Sequence, residues 1–513
     1  MPEQKSLQQI FQNYQTLIVV GGNWGDEGKG KVIDLIMGGY DVVARFSGGA
    51  NAGHTVYTAD EKKLVSHLIP CGLAQNKVCV LGRGEFFNLE LFLKELEEAK
   101  EVLLSDDPHP SASGGHPLPS PYAKASGDKK GEGKKEGLAP IYIDQQAPLW
   151  TPYHRLFEMY IEIMRGERKI GTTNKGIGPL EGMYKLRLAP VVGYLFEKDL
   201  LIKSLQALYN VLKPCLESIK DQINETIPEP QEILEKLLSD AEKIKSFIAD
   251  TSFLLDKELK SGKRILFEGA QATGLDAWWG TYPFVSSGNS VATGASLGTG
   301  LPMENFGATI MVAKTLPTRV GFGPFPSEMW ERQAAMDFAK EHLDLFSAGK
   351  ARDEFLSSAL QKINSGESSA AEMSQYFQVL GDERGATTGR GRSVGFLDIP
   401  WLQYAIRING PKYMALTRLD MLSGLKSIPV VVGYKHRGQL LPAGKLPAAW
   451  ELSQVETVKE DWPCFLEKID GINDESKLPK SAQAFLSRLE KHLGVPILLV
   501  GTGPGREAMV VRN

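Results

Sequence analysis

Short apolar runs alternate with glycine-rich polar segments along most of the chain. The first run, at residues 17–20, precedes a glycine-rich segment at 21–30, and apolar side chains at helical spacing follow at Val32, Ile33, Leu35 and Ile36. A short apolar run bounded by glycines predicts a buried strand, and the later spacing predicts a helix. The chain is therefore expected to begin with a strand, a glycine-rich loop and a helix.

Other apolar runs predict further strands, and each leads into a polar or glycine-rich segment. These runs lie at residues 41–46, 77–81, 264–267, 308–313, 412–416 and 497–500. Because ligands bind at the carboxyl ends of strands in α/β sheets, the segments after these strands are the expected place for a site. The amphipathic stretch 199–260 predicts helices that are broken at Pro214, Pro228 and Pro230.

Two segments differ from this pattern. Residues 105–137 are rich in Pro, Gly, Ser and Lys, a composition that cannot build a core, and we interpret them as a disordered surface insertion. Residues 331–380 are charged with helical spacing and predict an inserted helical cap.

The loop at 21–30 has the composition of a phosphate-binding loop. Its N–H groups and the positive end of the helix dipole converge on one point, where Lys29 and Lys31 add charge. Residues 25–32 fit G-x-x-x-x-G-K-[ST] except at Val32, so the hydroxyl that normally binds Mg²⁺ is missing. Asp26 is the nearest replacement and can also act as a base. A tight turn that packs a helix onto a sheet explains the same glycines, and this alternative stays open.

Composition excludes several classes of partner. The 513 residues carry a formal net charge of −4, which gives no general attraction to nucleic acid or to anionic membranes. The four cysteines have no C-x-x-C spacing, so neither a disulfide framework nor a zinc site is indicated. The polar amino terminus and the lack of a long apolar run predict a cytoplasmic protein.

Three later loops offer further candidate chemistry. His54 lies in a glycine-rich loop, although a lone histidine is often only structural. Arg390 and Arg392 on a glycine-rich backbone can bind a carboxylate or a phosphate, or can form a solvated basic loop. Asp420 follows a strand, where its carboxylate can accept two N–H groups of guanine or can simply cap a helix.

The glycine-rich motifs occur together in the order NWGDEGKGK, GGANAGHT, LIPCG, IGTTNKGIGP, FEGAQATGLD, GTYPFVSS, TRVGFGPFP, GATTGRGR, LTRLDMLSGLK and TGPGRE. In this order they closely resemble the adenylosuccinate synthetase family. The resemblance implies one α/β domain over residues 16–513, with a large, mostly parallel central sheet flanked by helices, a P-loop-like GTP site and peripheral helical subdomains. It also implies a GTP- and Mg²⁺-dependent ligase of purine (AMP) biosynthesis that joins L-aspartate to IMP through a 6-phosphoryl-IMP intermediate.

The resemblance assigns the chemical steps to four residues. Asp26 is expected to be the general base and His54 the acid, while Lys29 neutralises the transferred phosphoryl group and Gln271 reads the purine. The metal ligands are expected to be Asp26 and the carbonyl of Gly53.

The remaining site residues follow from the same resemblance. For IMP it implies Asn51, Ala52, Thr173, Arg187, Gln271, Ser286 and Arg390, with Arg187 supplied by the second subunit of a homodimer. For aspartate it implies Ala386, Thr387, Thr388, Gly389, Arg390 and Arg392. For GTP it implies Gly25, Glu27, Gly28, Lys29, Gly30, Lys31, Gly53, Thr55, Arg392, Arg418, Leu419, Asp420, Gly501, Thr502 and Gly503.

Several positions depart from the family pattern and indicate a divergent branch. The departures are Lys175, Ser286, the pair Trp278 and Trp279, the residues Gly391 and Ser393 within the arginine run, and the segment before Arg187. Three alternatives remain: a relative acting on another 6-oxopurine nucleotide such as dGMP, a guanine-nucleotide binding protein without ligase activity, and an ordinary P-loop ATPase. The absent hydroxyl at Val32 disfavours the last of these.

Overall fold

The computed structural model describes residues 7–57, 62–104, 137–319, 321–384 and 391–512. The predicted disordered insertion at 105–137 therefore lies outside the described residues, apart from Gly137. Residues 385–390, which carry most of the predicted aspartate loop, also lie outside them.

Most strands of the described chain belong to one large sheet. The strands are β1 (Thr16–Gly21), β2 (Val42–Arg45), β3 (His54–Tyr57), β4 (Lys63–Ser66), β5 (Val78–Leu81), β6 (Ile141–Asp144), β7 (Ile248–Ala249), β8 (Ile265–Glu268), β9 (Ala308–Lys314), β10 (Thr318–Arg319), β11 (Ser393–Val394), β12 (Tyr413–Thr417), β13 (Ser427–His436), β14 (Gln439–Leu440), β15 (Glu456–Pro463), β16 (Ile497–Gly501) and β17 (Met509–Val511). Ten of them form a sheet in the order β17-β16-β12-β9-β1-β8-β2-β5-β6-β7. All its neighbouring strands are parallel except β16 and β17. Smaller sheets pair β3 with β4, β10 with β11, and β13 with β14 and β15.

Helices cover both faces of the large sheet. They are α1 (Leu7–Phe11), α2 (Lys29–Ile36), α3 (Leu89–Leu104), α4 (Pro152–Arg165), α5 (Ile177–Lys185), α6 (Lys198–Ser218), α7 (Pro230–Ala241), α8 (Thr251–Lys260), α9 (Gly294–Thr299), α10 (Arg332–Glu341), α11 (Lys350–Ser365), α12 (Ala370–Gly381), α13 (Ile399–Asn409) and α14 (Lys480–Leu493). None of these helices in the described chain is long and apolar enough to cross a membrane.

The alternation of side chains along β1 shows how the core is divided. Leu17 and Val19 pack in one cluster with α2, α3 and α6, whereas Ile18 and Val20 pack in a second cluster with α8, α13 and α14. Because successive side chains of a strand point to opposite faces, a central strand buried on both faces must be apolar throughout. The continuous apolar runs in the sequence are the consequence.

The predicted α/β class and mostly parallel sheet are confirmed, and each of the six later apolar runs overlaps a strand of the large sheet. The predicted break at Pro214 is wrong, because this residue lies inside α6. Pro214 is exposed near the end of the helix, while Leu205, Leu208, Leu212 and Leu216 are buried, and their packing outweighs the loss of one backbone hydrogen bond. Pro230 begins α7, where proline is favoured. The segment 331–380 is helical as predicted, since it contains α10, α11 and α12.

At one edge of the sheet, several strands end in a polar or charged residue. Arg45, Glu268, Lys314 and Thr417 are the last residues of β2, β8, β9 and β12, and these strands run parallel to β1 or to its neighbours. The carboxyl ends of parallel strands meet at the same edge, so the loops that follow them converge there.

Candidate active site

The glycine-rich loop between β1 and α2 is organised by the buried carboxylate of Glu27. This carboxylate accepts hydrogen bonds from the backbone N–H groups of Asn23 (3.1 Å) and Gly25 (2.8 Å) and from Nζ of Lys29 (2.8 Å). Lys29, the first residue of α2, therefore has Glu27 as its ion-pair partner.

The start of α2 is open to an anion. The described residues place no acidic side chain in its first turn and no side-chain cap at Gly28, which has a φ of 83°. The first N–H groups of such a helix attract negative charge. Gly30 lies so close to β3 that an added Cβ would be 2.9 Å from the carbonyl oxygen of Thr55, which explains the need for glycine there and brings Thr55 next to the loop.

Asp26 lies in this loop among cations. Its side chain is 46% exposed, and Oδ2 is 2.5 Å from Nη1 of Arg392 and 3.7 Å from Nζ of Lys314. The backbone φ of Asp26 is 61°, a left-handed conformation that Asp and Asn tolerate better than most residues. A non-glycine residue held in this conformation is often part of a functional site.

Lys314 and Glu383, which no sequence motif indicated, lie beside Asp26 and Arg392. Both side chains are buried, and Nζ of Lys314 donates to Oε1 of Glu383 (2.6 Å) and to Oγ1 of Thr318 (3.2 Å). The second carboxylate oxygen of Glu383 is 3.5 Å from Arg392. The sequence offered one signal for Lys314, its position as a charged residue at the end of the apolar strand β9.

His54 is paired with Glu268, a residue that the sequence motifs did not indicate either. Nδ1 of His54 is 2.5 Å from Oε1 of Glu268, and Oε2 accepts the backbone N–H of Cys71 at 2.8 Å. Arg45, the register partner of Glu268 on β2, brings Nη1 to within 4.0 Å of the same oxygen. Arg45, Cys71 and Glu268 are almost completely buried.

The charges of this cluster follow from burial and pairing. Burial raises the pKa of Glu268, but the charges of His54 and Arg45 and the hydrogen bonds of His54 and Cys71 outweigh it and lower the pKa to about 2. Burial lowers the pKa of His54, and the neighbouring carboxylate of Glu268 opposes that shift. Glu268 is therefore the anion of the pair at neutral pH.

Three predicted IMP residues come together beside this cluster. Nε2 of Gln271 donates to Oδ1 of Asn51 (3.2 Å), and Nδ2 of Asn51 donates to Oγ of Ser286 (3.3 Å). Gln271 has a φ of 53°, and its Oε1 is buried with no hydrogen-bond partner in the described chain. A buried, unpaired amide oxygen is costly, and a ligand that donates an N–H would satisfy it.

Other predicted IMP residues have different surroundings. The carbonyl of Ala52 accepts a hydrogen bond from Nη2 of Arg45 at 3.1 Å. Thr173 and Arg187 are exposed, and no side-chain hydrogen bond or ion pair within the described residues joins either one to the cluster. Arg187 also has a left-handed backbone, with a φ of 65°.

The residues predicted to bind guanine lie where the segments after β12 and β16 meet the glycine-rich loop. Oγ1 of Thr417 donates to the carbonyl of Glu27 at 2.7 Å, and a Cβ at Gly501 would lie 3.1 Å from Cα of Thr417. Oδ1 of Asp420 is buried without a partner among the described residues, while Oδ2 is 4.0 Å from Nε of Arg418. Burial raises the pKa of Asp420, although Arg418 opposes this. Leu419 is completely buried.

Lys31 points toward the segment after β16 rather than toward the first turn of α2. Its Nζ donates to the carbonyls of Gly503 (2.7 Å) and Ala508 (2.9 Å). Burial lowers the pKa of Lys31 to about 8, against the opposing charge of Asp420. Residues two positions apart on a helix point about 200° apart, so the side chains of Lys29 and Lys31 cannot both face the same ligand group. In the same region, Oγ1 of Thr502 donates a hydrogen bond to the carbonyl of Ile472.

The predicted aspartate loop is described only at its ends. Residues 386–390, including Arg390, lie outside the described residues. At one end Gly391 forms a bridge with Arg384, and the carbonyl of Arg392 accepts a hydrogen bond from Nε2 of Gln378 on α12 at 2.9 Å. The helical segment 331–380 thus supports the base of this loop.

The predicted magnesium ligands fit a hard cation. The carboxylate of Asp26 is 46% exposed, so that an ion can reach it, and carboxylate and carbonyl oxygens are the donors that Mg²⁺ prefers. Gly53, whose carbonyl is the second predicted ligand, directly precedes His54.

Comparison with known proteins gives one consistent family. The family model described as adenylosuccinate synthetase matches residues 18–113 and 123–510. The adenylosuccinate synthetase of Syntrophus aciditrophicus is 34% identical over 496 residues, which cover 96% of this chain and 98% of that one. The enzyme of the same name from Thermodesulfovibrio yellowstonii is 34% identical over 97% of this chain and 99% of its own.

Two solved structures share the fold over nearly the whole length. The fully ligated adenylosuccinate synthetase of Plasmodium falciparum superposes with a TM-score of 0.74 at 29% identity, covering 97% of this chain and 99% of that one. The succinoaminodeoxyadenylate synthetase of cyanophage S-2L, bound to dGMP and dATP, gives a TM-score of 0.51 at 15% identity over 97% and 95% of the two chains. The second likeness is one of fold alone.

Proposed function

The chain belongs to the adenylosuccinate synthetase family, and from this premise we propose how its residues carry out the family's GTP-dependent ligation of L-aspartate to IMP. The products are adenylosuccinate, GDP and phosphate. The main support is the convergence of three groups at one edge of the sheet: Asp26 in the phosphate loop, the His54–Glu268 pair, and the amide cluster of Gln271, Asn51 and Ser286.

The first step is phosphorylation of the purine 6-oxygen. Asp26 takes the proton from N1 of IMP, which makes the 6-oxygen a nucleophile, and this oxygen attacks the γ-phosphorus of GTP while the bond to GDP breaks. The N–H groups at the start of α2 and the ammonium of Lys29 bind the phosphoryl oxygens. Mg²⁺ held by Asp26 and Gly53 would neutralise charge on the phosphates.

His54 and Gln271 act on the purine. His54 donates a hydrogen bond to the 6-oxygen as charge develops there, and the unpaired Oε1 of Gln271 accepts an N–H of the substrate. In the second step the amine of aspartate attacks C6, the bond from C6 to the phosphorylated oxygen breaks so that phosphate leaves, and the amine nitrogen releases a proton to the solvent. Arg390 and Arg392 bind the carboxylates of aspartate, and Arg392 leaves Asp26 in order to do so.

Asp420 selects the energy donor. Its two carboxylate oxygens, of which Oδ1 is buried without a partner in the described chain, can accept the N1–H and the exocyclic amine of guanine, and adenine offers no N–H at the N1 position. Arg187, exposed in the single chain, contacts the IMP phosphate of the partner subunit in a homodimer. The cytoplasm is the location that fits this metabolic role.

The test is a complete reaction with a substrate panel. Adenylosuccinate, GDP and phosphate are expected in equal amounts from IMP, aspartate, GTP and Mg²⁺, with IMP preferred over GMP and dGMP, and GTP over ATP. Phosphate release that does not depend on IMP would point to a guanine-nucleotide binding protein with idle hydrolysis. A clear preference for dGMP would point to the other type of ligase.

A further inference from the structure

We propose that Glu268 is a positioning residue for phosphoryl transfer, because its carboxylate fixes the ring of His54 so that Nε2 meets the 6-oxygen of the purine. This inference rests on the proposed role of His54 as the acid. Neither the motifs nor the family assignment gave Glu268 a role.

The carboxylate of Glu268 is held from two directions. Oε1 is bound to Nδ1 of His54 at 2.5 Å, and Oε2 accepts the backbone N–H of Cys71 at 2.8 Å. Glu268 ends β8 in the centre of the sheet and is completely buried. With both oxygens engaged and no access to water, the carboxylate cannot rotate away without leaving a buried polar group unpaired.

The chemical consequence concerns the two nitrogens of His54. A carboxylate only accepts hydrogen bonds, so Nδ1 must carry a proton, and Nε2 is left as the nitrogen that can exchange a proton or hydrogen bond with a substrate. Within the described residues Nε2 makes no hydrogen bond. The negative charge of Glu268 also compensates the positive charge that the ring carries while it donates, as a buried aspartate does for the histidine of a serine protease.

Arg45 extends this support to the substrate loop. Its guanidinium lies 4.0 Å from Oε1 of Glu268 and donates through Nη2 to the carbonyl of Ala52 at 3.1 Å. Ala52 lies between Asn51 and Gly53 in the chain. One buried cation thus connects the residue that orients His54 to the loop that carries Asn51.

A metal ion is the competing explanation for this cluster, since ligand atoms of His54, Cys71 and Glu268 lie within 4.8 Å of one another. Two ligands of one zinc ion would lie roughly 3.3 Å apart, whereas Nδ1 and Oε1 are only 2.5 Å apart, a separation that a charge-assisted hydrogen bond explains better than two bonds to one ion. Arg45 already supplies the positive charge beside Glu268. The geometry therefore favours a proton between His54 and Glu268 over a metal ion.

The experiment compares Glu268→Gln with Glu85→Gln. Glu85 is also completely buried and faces Arg45 at 3.7 Å, but it has no contact with His54 in the described chain. Burial raises the pKa of Glu85 to about 8, so an amide resembles its neutral form. We expect Glu268→Gln to lower kcat at least about 10²-fold with little change in KM for GTP and aspartate, and Glu85→Gln to keep kcat.

A loss of kcat in both variants, or in neither, would overturn the proposal, because it would make Glu268 only part of the buried structure. A second measurement does not depend on whether the Glu268→Gln variant folds. It is an NMR spectrum of the wild-type protein with ¹⁵N-labelled histidine, in which the His54 signals are assigned from their absence in His54→Asn. We expect a slowly exchanging proton on Nδ1. An unprotonated Nδ1 would contradict the proposal, and so would an activity that requires one bound Zn²⁺ per chain.

These outcomes differ from a failure of the proposed function. If the wild-type protein makes no adenylosuccinate, the proposed function fails whatever the NMR spectrum shows. If the wild-type protein makes adenylosuccinate and the His54→Asn variant keeps full activity, the role of His54 fails, and that of Glu268 fails with it.

Discussion

Asp26 shows how a single residue combines several demands. In its proposed roles as base and magnesium ligand it needs a negative charge, and the cations Arg392 and Lys314 lie 2.5 and 3.7 Å from its carboxylate. It also sits in a left-handed backbone conformation with a φ of 61°, which few residues with a side chain adopt without strain. Only Asp and Asn match the backbone well, and only Asp carries the charge.

We therefore expect Asp26→Asn to abolish turnover while the fold stays intact, with kcat lower by at least about 10³-fold. A matched control is Asp382→Asn, since Asp382 also has a left-handed backbone, with a φ of 47°, and an arginine partner, Arg384. This control should keep its activity. Steady-state rates and thermal unfolding of both variants check the prediction, and an active Asp26→Asn enzyme would remove Asp26 from the role of base.

At the scale of elements, the start of α13 supports the phosphate loop. Asp398 caps this helix by accepting the backbone N–H of Trp401 at 3.1 Å, and its other oxygen accepts the hydroxyl of Tyr434 at 2.5 Å. The indole of Trp401 donates to the carbonyl of Gly22 at 2.9 Å and stacks on Trp24 at 4.2 Å between centroids. A buried carboxylate and two tryptophans thus connect a helix on one face of the sheet to the glycine-rich loop after β1.

This capping carboxylate predicts a pH dependence of stability. Burial raises the pKa of Asp398 from 3.8 to about 6, so between these values the folded protein keeps a proton that the unfolded chain releases. The free energy of unfolding should then fall as pH rises from 4 to 6, by at most about 3 kcal/mol for this group. The Asp398→Asn variant can still accept the N–H of Trp401 but does not titrate, so its free energy of unfolding should not show this decrease. Thermal unfolding of both proteins across this range tests it, and identical slopes would contradict the prediction.

The elements were more predictable from sequence than the partners of the site residues. Apolar runs located the strands because β1, β8, β9 and β12 are buried on both faces, and glycines marked the loops between them. Lys314 with Glu383, and His54 with Glu268, are pairs that only the tertiary fold brings together, 69 and 214 residues apart in the chain. The sequence contains the charges of such pairs but not their distances.

At the scale of the whole molecule, the parallel sheet brings distant segments to one place. The phosphate loop follows β1, Glu268 ends β8, Lys314 ends β9 and the guanine-type segment follows β12, and these four strands are consecutive in the sheet. Ligand groups from most of the chain length therefore meet at a single edge. In the proposed homodimer, Arg187 completes each site from the other subunit.

Mixing two inactive variants tests the shared site. Asp26→Asn and Arg187→Ala should each be inactive alone, but in a heterodimer one site receives an intact Asp26 from its own subunit and an intact Arg187 from the partner subunit. Random reassociation should restore roughly a quarter of the wild-type activity. Sedimentation measurements on the same mixtures confirm dimer formation. No recovery from fully mixed dimers would show that Arg187 does not act across the interface.

The transfer of the purine oxygen to phosphate tests the central claim most directly. IMP labelled with ¹⁸O at the 6-position is converted with GTP and aspartate, and the released phosphate is analysed by mass spectrometry. If the 6-oxygen attacks GTP and phosphate then leaves from C6, every phosphate released carries the label. Unlabelled phosphate formed together with adenylosuccinate would contradict a 6-phosphoryl intermediate, and with it the roles given to Asp26 and His54.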